Sequence, residues 1–190
     1  MVTLRKGAGT NSVVITNKMQ ATKAGNIESV KYYDGNGDAA AIDNGHVLTL
    51  NGLDTGEREI MVGNAPAAVT DEIVLVASPE LIYDEQFKAD GGLDDFQNEA
   101  DRPARAYHLY RGDKFSVSDG AINALANDTP VVGNFVVVDP GETRLVEVAA
   151  GNIPANSKFI GEIIRKDVLG TAFAMNVRTV DLTVIQVKEA

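Results

Sequence analysis

Apolar and polar residues alternate with a period of two along most of this chain, and Gly, Asn and Asp interrupt the alternation at short intervals. Residues 27–33 put Ile27, Val30 and Tyr32 or Tyr33 on one face and end in Asp34-Gly35-Asn36-Gly37-Asp38. Gly and Asn tolerate positive φ, so this pentapeptide predicts a hairpin turn. Residues 39–42 continue the pattern, Asn44-Gly45 turns, 46–50 read as a short strand, and Asn51-Gly52 predicts a further turn. Strands are expected over 57–62 and 72–77, and Pro79 ends this run.

The alternation resumes after Pro103. Residues 106–110 and 114–117 read as strands about a turn at Gly112-Asp113, and 120–125 fit no pattern. A strand over 131–138 meets a hairpin partner over 143–148 through Asp139-Pro140-Gly141. Residues 158–166 read as a strand with Gly161 as a bulge, and 173–177 and 180–187 close the chain as strands. Many short strands joined by such turns predict a mainly β fold, a β-barrel or sandwich. Short helical insertions are expected around 80–100: a helix or irregular crossing over 80–88, then one or two helical turns over 93–100 after Gly91-Gly92. No 20–50-residue repeat or heptad pattern is present.

Charge divides the chain further. Residues 1–24 contain Arg5, Lys6, Lys18 and Lys23 and no acid, in a protein of net charge -10. This predicts a basic N-terminal arm on an acidic body. Within the arm, the apolar triplet Val13 to Ile15 reads either as an edge strand or as part of a segment lying on a neighbouring acidic surface. The densest acidic cluster, Glu80, Asp84, Glu85, Asp90, Asp94, Asp95, Glu99 and Asp101, gives way to Arg102 and Arg105. It reads as an acidic connector, 80–102, in a β-rich domain spanning 25–190, with sub-structures 25–79 and 103–190 sharing one core.

The net charge argues against binding nucleic acid or anionic lipid, which call for a basic surface. With no cysteine there is no disulfide, thiolate nucleophile or Cys-ligated metal. No apolar run approaches the ~18 residues of a membrane span, and the start lacks the apolar core of a signal peptide, so synthesis and retention in the cytoplasm are expected.

Candidate chemistry is sparse. His46 and His108 are the only histidines, no G-x-S-x-G is present, and both read as surface or hydrogen-bonded polar residues. Asp34, Asn36 and Asp38 match the opening of a calcium loop, but the sixth position is Ala39 and the twelfth Gly45. The carboxylates of 80–101 are irregularly spaced; a hydrolase would need two of them facing each other in a cleft. Arg111-Gly112-Asp113 reads as a turn rather than an adhesive tripeptide. No catalytic residue, metal site or cofactor is expected.

Three elements resemble a known class of protein. They are Pro79, Glu80, Tyr83, Asp84 and Glu85 (P-E-x-x-Y-D-E); Pro103, Ala104, Arg105, Ala106 and Tyr107 (P-A-R-A/G-Y); and Gly112, Asp113, Phe115, Ser116 and Val117 (G-D-x-F-S-V). With the closing KFIGEIIRKDVLGTAFAM and TVIQV segments, residues 70–188 resemble small structural head proteins of tailed bacteriophages, of the capsid decoration or cement type. The resemblance implies a non-enzymatic, β-rich homo-oligomer, a trimer in the first instance. Such a protein is made in the host cytoplasm, binds the major capsid protein and resides on the outer capsid surface of the virion. The residues expected to contact the capsid are Arg5, Lys6, Lys18, Lys23, Tyr83, Arg102, Arg105, Tyr107 and Tyr110. The alternative is a head or tail fibre component with a receptor- or carbohydrate-binding β domain, using Tyr32, Tyr33, Tyr107 and Tyr110; the absence of Trp counts against it.

Overall fold

A computed structural model describes residues 11–21, 23, 25–80, 93–126, 129–169 and 180–190. Five strands close a barrel in the order β1 (Ile27–Tyr32), β3 (Ile60–Asn64), β2 (Val47–Leu53), β4 (Val74–Val76), β5 (Ala104–His108). The β1–β3 pair is parallel and the other pairs are antiparallel. Six more strands form a second sheet in the order β6 (Lys114–Ser118), β11 (Val180–Glu189), β10 (Ile160–Leu169), β8 (Phe135–Val138), β9 (Leu145–Val148), β7 (Ile122–Asn123). The mainly β barrel reading of the sequence therefore holds.

Two cores follow from the period-two pattern. Val30, Leu48, Val74, Val76, Ala104 and Ala106 point into the barrel with Ile42. Val47 and Leu75, their neighbours on the same strands, and Ala77 just past β4 point outward and join Phe115, Val117, Val136, Leu145, Ile163 and Ile185 in the main core between barrel and sheet. β4 is buried on both faces, which is why Val74, Leu75 and Val76 do not alternate. The barrel is narrow: a Cβ on Gly63 would lie 2.5 Å from Val30 Cγ2 and 2.9 Å from Leu48 Cδ1. Gly161 sits at a register shift in β10 and packs as closely, with Ile185 Cγ2 2.5 Å from where its Cβ would be.

The N-terminal triplet lies along β6 as an isolated bridge rather than a full strand. Val14 bridges Val117, Ser118 N–H donates to the Val13 carbonyl at 2.8 Å, and Gln20 and Lys114 exchange two backbone hydrogen bonds. Val13 and Ile15 pack on Leu182, while Val14 enters the main core. The segment covers the β6 edge, and closure removes the edges of the barrel.

Several boundaries differ from the sequence reading. Asn51-Gly52 does not turn the chain; it lies inside β2 at a register shift between Leu50 and Leu53, with Gly52 at φ +94°. The reversal comes later, where Glu57 N–H donates to the Asp54 carbonyl. Residues 131–133 form a turn instead of a strand, because Gly133 has φ +94° and Asn134 N–H returns to the Val131 carbonyl. The helical turns expected over 93–100 reduce to one 3-10 turn, Leu93–Asp95, after which Asn98 bridges Ile42. The helix at 80–88, Glu80 apart, and the strand at 173–177 lie outside the described residues.

The acidic stretch also has a different place from the one expected. β5 follows it yet pairs with β4 and β1, so the chain leaves and re-enters the same barrel across 80–102 instead of passing between two β parts. Fully buried Asn44 pins both ends of the excursion. Its Nδ2 donates to the Ser78 carbonyl (2.9 Å), and its Oδ1 accepts from Ser78 N–H (2.9 Å) and Asn98 Nδ2 (3.1 Å).

Candidate interaction surface

The outer face of the six-stranded sheet, turned away from the barrel, carries a groove of about 400 Å³. Lys114 and Ser116 of β6, Val184 of β11, and Ile164 and Arg165 of β10 line it, together with Lys18 and Gln20 from the N-terminal segment. Alternation explains the β6 residues: Phe115 and Val117 face the core, so Lys114 and Ser116 face out. On β10 a register shift between Ile163 and Arg165 inserts Ile164, so that two successive residues line the groove.

The groove is basic on an acidic protein. Arg165 pairs with Asp167 at 2.7 Å. Lys18, in the 3-10 turn Thr16–Lys18, and Lys114 have no carboxylate within 4.0 Å among the described residues. Ile164 and Val184 supply apolar floor between the cations. This combination suits an extended acidic segment that lays carboxylates on the lysines and an apolar side chain on the floor.

The residues expected from sequence to contact a partner are dispersed. Lys18 lies in the groove. Lys23 stands 4.7 Å over the Tyr110 ring, a cation–π contact, and Asn26 Nδ2 donates to the Tyr110 hydroxyl. Arg102 is exposed and pairs with Glu99 at 2.8 Å, Arg105 points outward from β5, and Tyr107 packs partly buried against the main core. Arg5, Lys6 and Tyr83 lie outside the described residues. Sequence reading missed Lys114 and Arg165, which only the β6–β11–β10 order brings together.

The other candidate chemistries meet ordinary structural roles. Asp34 accepts from the N–H groups of Asp38 (3.1 Å) and Asn36 (2.9 Å), which hold its carboxyl below the usual range. It is a turn residue. Asp113 of the Arg-Gly-Asp sequence is buried and accepts from Tyr110 N–H at 2.9 Å. Asp101 joins Asp54 around Lys31, at 3.3 and 3.1 Å, and Tyr33 donates to Asp54. Lys166, Asp119 and Thr183 form a closed network across the sheet, with Lys166 2.5 Å from Asp119. Among the described residues no group of three His, Cys, Asp or Glu side chains is placed to hold a metal. Tyr32 packs against the barrel interior, Tyr33 binds Asp54, Tyr107 joins the main core and Tyr110 lies under Lys23, so these four build no shared aromatic platform.

His46 joins the barrel to the second sheet and to the N-terminal segment. Its Nδ1 is 2.8 Å from Thr143 Oγ1 and its Nε2 3.5 Å from Ser12 Oγ, while Ser12 N–H donates to Asp43. Among the described residues the ring's hydrogen-bond partners are Thr143 and Ser12, and Asp43 bonds the Ser12 backbone rather than the imidazole. Burial is the main influence on this imidazole and lowers its pKa below 6.5. The unfolded chain therefore binds a proton that the folded chain resists. Stability is complete above 6.5 and is lost as pH falls from there through the folded pKa. Melting temperatures from pH 7.5 to 5 should show this fall, and His46→Gln should flatten it; an unchanged slope in the variant would remove the assignment to His46.

Glu147 escaped the sequence reading altogether. It is fully buried on β9 and accepts from Leu125 N–H (2.9 Å), Val131 N–H (2.9 Å) and Asn134 Nδ2 (2.7 Å). Burial opposes its charge most strongly, but these donors together outweigh it and hold the carboxyl below its usual range.

Compared with known proteins, the chain matches no family model, no curated protein and no solved structure.

Proposed function

We propose that this chain is a bacteriophage head decoration protein that binds the major capsid protein on the outer capsid surface, stabilises the lattice and catalyses no reaction. The observation that carries this reading is the basic groove on an acidic body, with Lys18 and Lys114 unpaired among the described residues. An acidic surface favours solubility, and a local basic groove gives a specific acidic partner somewhere to bind. Two of the three elements that carry the phage resemblance lie wholly among the described residues. Ala104 and Ala106 fill the barrel from β5, Gly112 and Asp113 make the turn into β6, and Phe115 and Val117 enter the main core. They form the junction between barrel and sheet.

Cementing needs little affinity per copy. A stable protein interface buries ~1,600 Å², and a lattice that offers many equivalent sites strengthens a modest contact through avidity. Purified chain mixed with heads assembled from the major capsid protein of the same phage should co-sediment with them saturably. The binding should weaken with added salt, because exposed charges are screened. Absence of co-sedimentation at any concentration would overturn the proposal.

A further inference from the structure

The strand ladders fix where the groove holds its charges. Lys114 of β6 lies opposite Gln186 of β11, while Ser116, Val184 and Arg165 lie opposite one another on β6, β11 and β10. Lys114 and Arg165 therefore stand two strands apart and two residues out of step. Strand spacings of ~4.8 Å and a rise of ~3.4 Å per residue put their Cα atoms about 12 Å apart, with Val184 on the strand between. Val184 is buried at the bottom of the groove, and half-buried Ile164, brought out by the bulge in β10, flanks it. Lys18 enters from the Lys114 side, because its segment pairs with Lys114 through Gln20. At the other end Asp167 takes one N–H of Arg165 at 2.7 Å, which steadies the guanidinium while engaging one of its five donors.

Charge selects the ligand, and spacing selects its sequence. An extended chain advances ~3.4 Å per residue with alternate side chains on one face, so residues i and i+4 lie about 13 Å apart with i+2 midway. The groove matches carboxylates at i and i+4 and an apolar side chain at i+2. One acid accepts the two-pronged donation of Arg165, the other sits between Lys114 and Lys18, and the apolar side chain rests against Ile164 and Val184. We propose that the groove recognises a linear motif, acid-x-apolar-x-acid, in an extended segment of the capsid protein that crosses β6, β11 and β10 obliquely, which rests on the groove being the capsid contact. A short peptide then carries the recognition without the assembled lattice.

The test is an NMR titration of the full chain with two capped heptapeptides of one composition and charge, SETVTES, which holds the motif, and SEETTVS, which does not. SETVTES should shift the amide resonances of Lys114, Ile164, Arg165 and Val184 saturably, with a Kd of about 1 mM or tighter. SEETTVS should bind at least about fivefold more weakly, since two acids on opposite faces cannot both reach the cations. Arg165→Lys keeps the charge but loses the fork, and should weaken SETVTES about three- to tenfold. Arg165 is exposed, so the melting temperature should stay as it is. Seven residues are too few to hold a helix in water, so binding of SETVTES also shows the extended form. No saturable shift at about 5 mM, equal affinity for the two peptides, or shifts confined to the barrel would overturn the motif. Co-sedimentation with heads is read separately: heads that bind a chain indifferent to both peptides keep the decoration reading and remove the motif.

Discussion

Glu147→Ala should lower the melting temperature by about 6–12 °C, the largest effect of any single polar substitution proposed for this protein. Three donors lose their acceptor at once: Leu125 N–H, Val131 N–H and Asn134 Nδ2. An unsatisfied buried donor costs about 1–3 kcal/mol. Because water can reach part of the loop, about 3 kcal/mol in all is a reasonable expectation, and at this chain length each kcal/mol moves the midpoint about 2–4 °C. Glu147→Gln keeps one acceptor oxygen but turns an amide N–H toward a donor, so it should fall between alanine and wild type. The pH dependence separates the carboxylate from mere packing. Its folded pKa lies below the ordinary value of 4.5, so its contribution is complete above 4.5 and lost as pH falls through the folded value. The wild type should lose stability in that acidic window, and Glu147→Gln should lose less there. An alanine variant that melts within ~2 °C of wild type would show that the loop does not depend on this carboxylate.

The second large effect concerns binding. Lys18→Glu combined with Lys114→Glu should weaken binding to heads by about 10–100-fold, since each tenfold step is about 1.4 kcal/mol and like charges facing across an interface cost several. Lys18 is exposed and Lys114 half-buried, and neither forms an ion pair among the described residues, so the melting temperature should scarcely move. Replacing both by glutamine should weaken binding less and flatten its salt dependence. Arg102→Glu, just before β5, and Arg105→Glu, on β5 of the barrel, form the comparison. If they abolish binding while the groove variants bind normally, the capsid contact is on the barrel and the groove assignment is wrong.

Much of the fold was legible because local physics decided it. The turns at Asp34 to Asp38, Gly112-Asp113 and Asp139 to Gly141 all form where Gly, Asn and Asp place them. Pairing over long separations was not legible. Nothing near residue 104 says that β5 returns to β4 and β1, nor that β1 and β3 run parallel. Asn51-Gly52 misled because a bulge needs positive φ as much as a hairpin does. Residues 131–133 misled because two valines favour a strand locally, while a buried carboxylate 14 residues beyond Gly133 fixes them as a turn. The groove shows the same limit. Lys18 was visible as part of a basic segment, but Lys114 and Arg165 are unremarkable until β11 is laid between their strands.

Electron cryomicroscopy of heads incubated with the purified chain tests the proposed function most directly. The decoration reading predicts ordered density on the outside of the shell, fitted by the barrel and six-stranded sheet, with the outer face of β6, β11 and β10 against the major capsid protein. A bare shell at saturating protein would contradict the function, and a bound chain whose groove faces solvent would contradict the site.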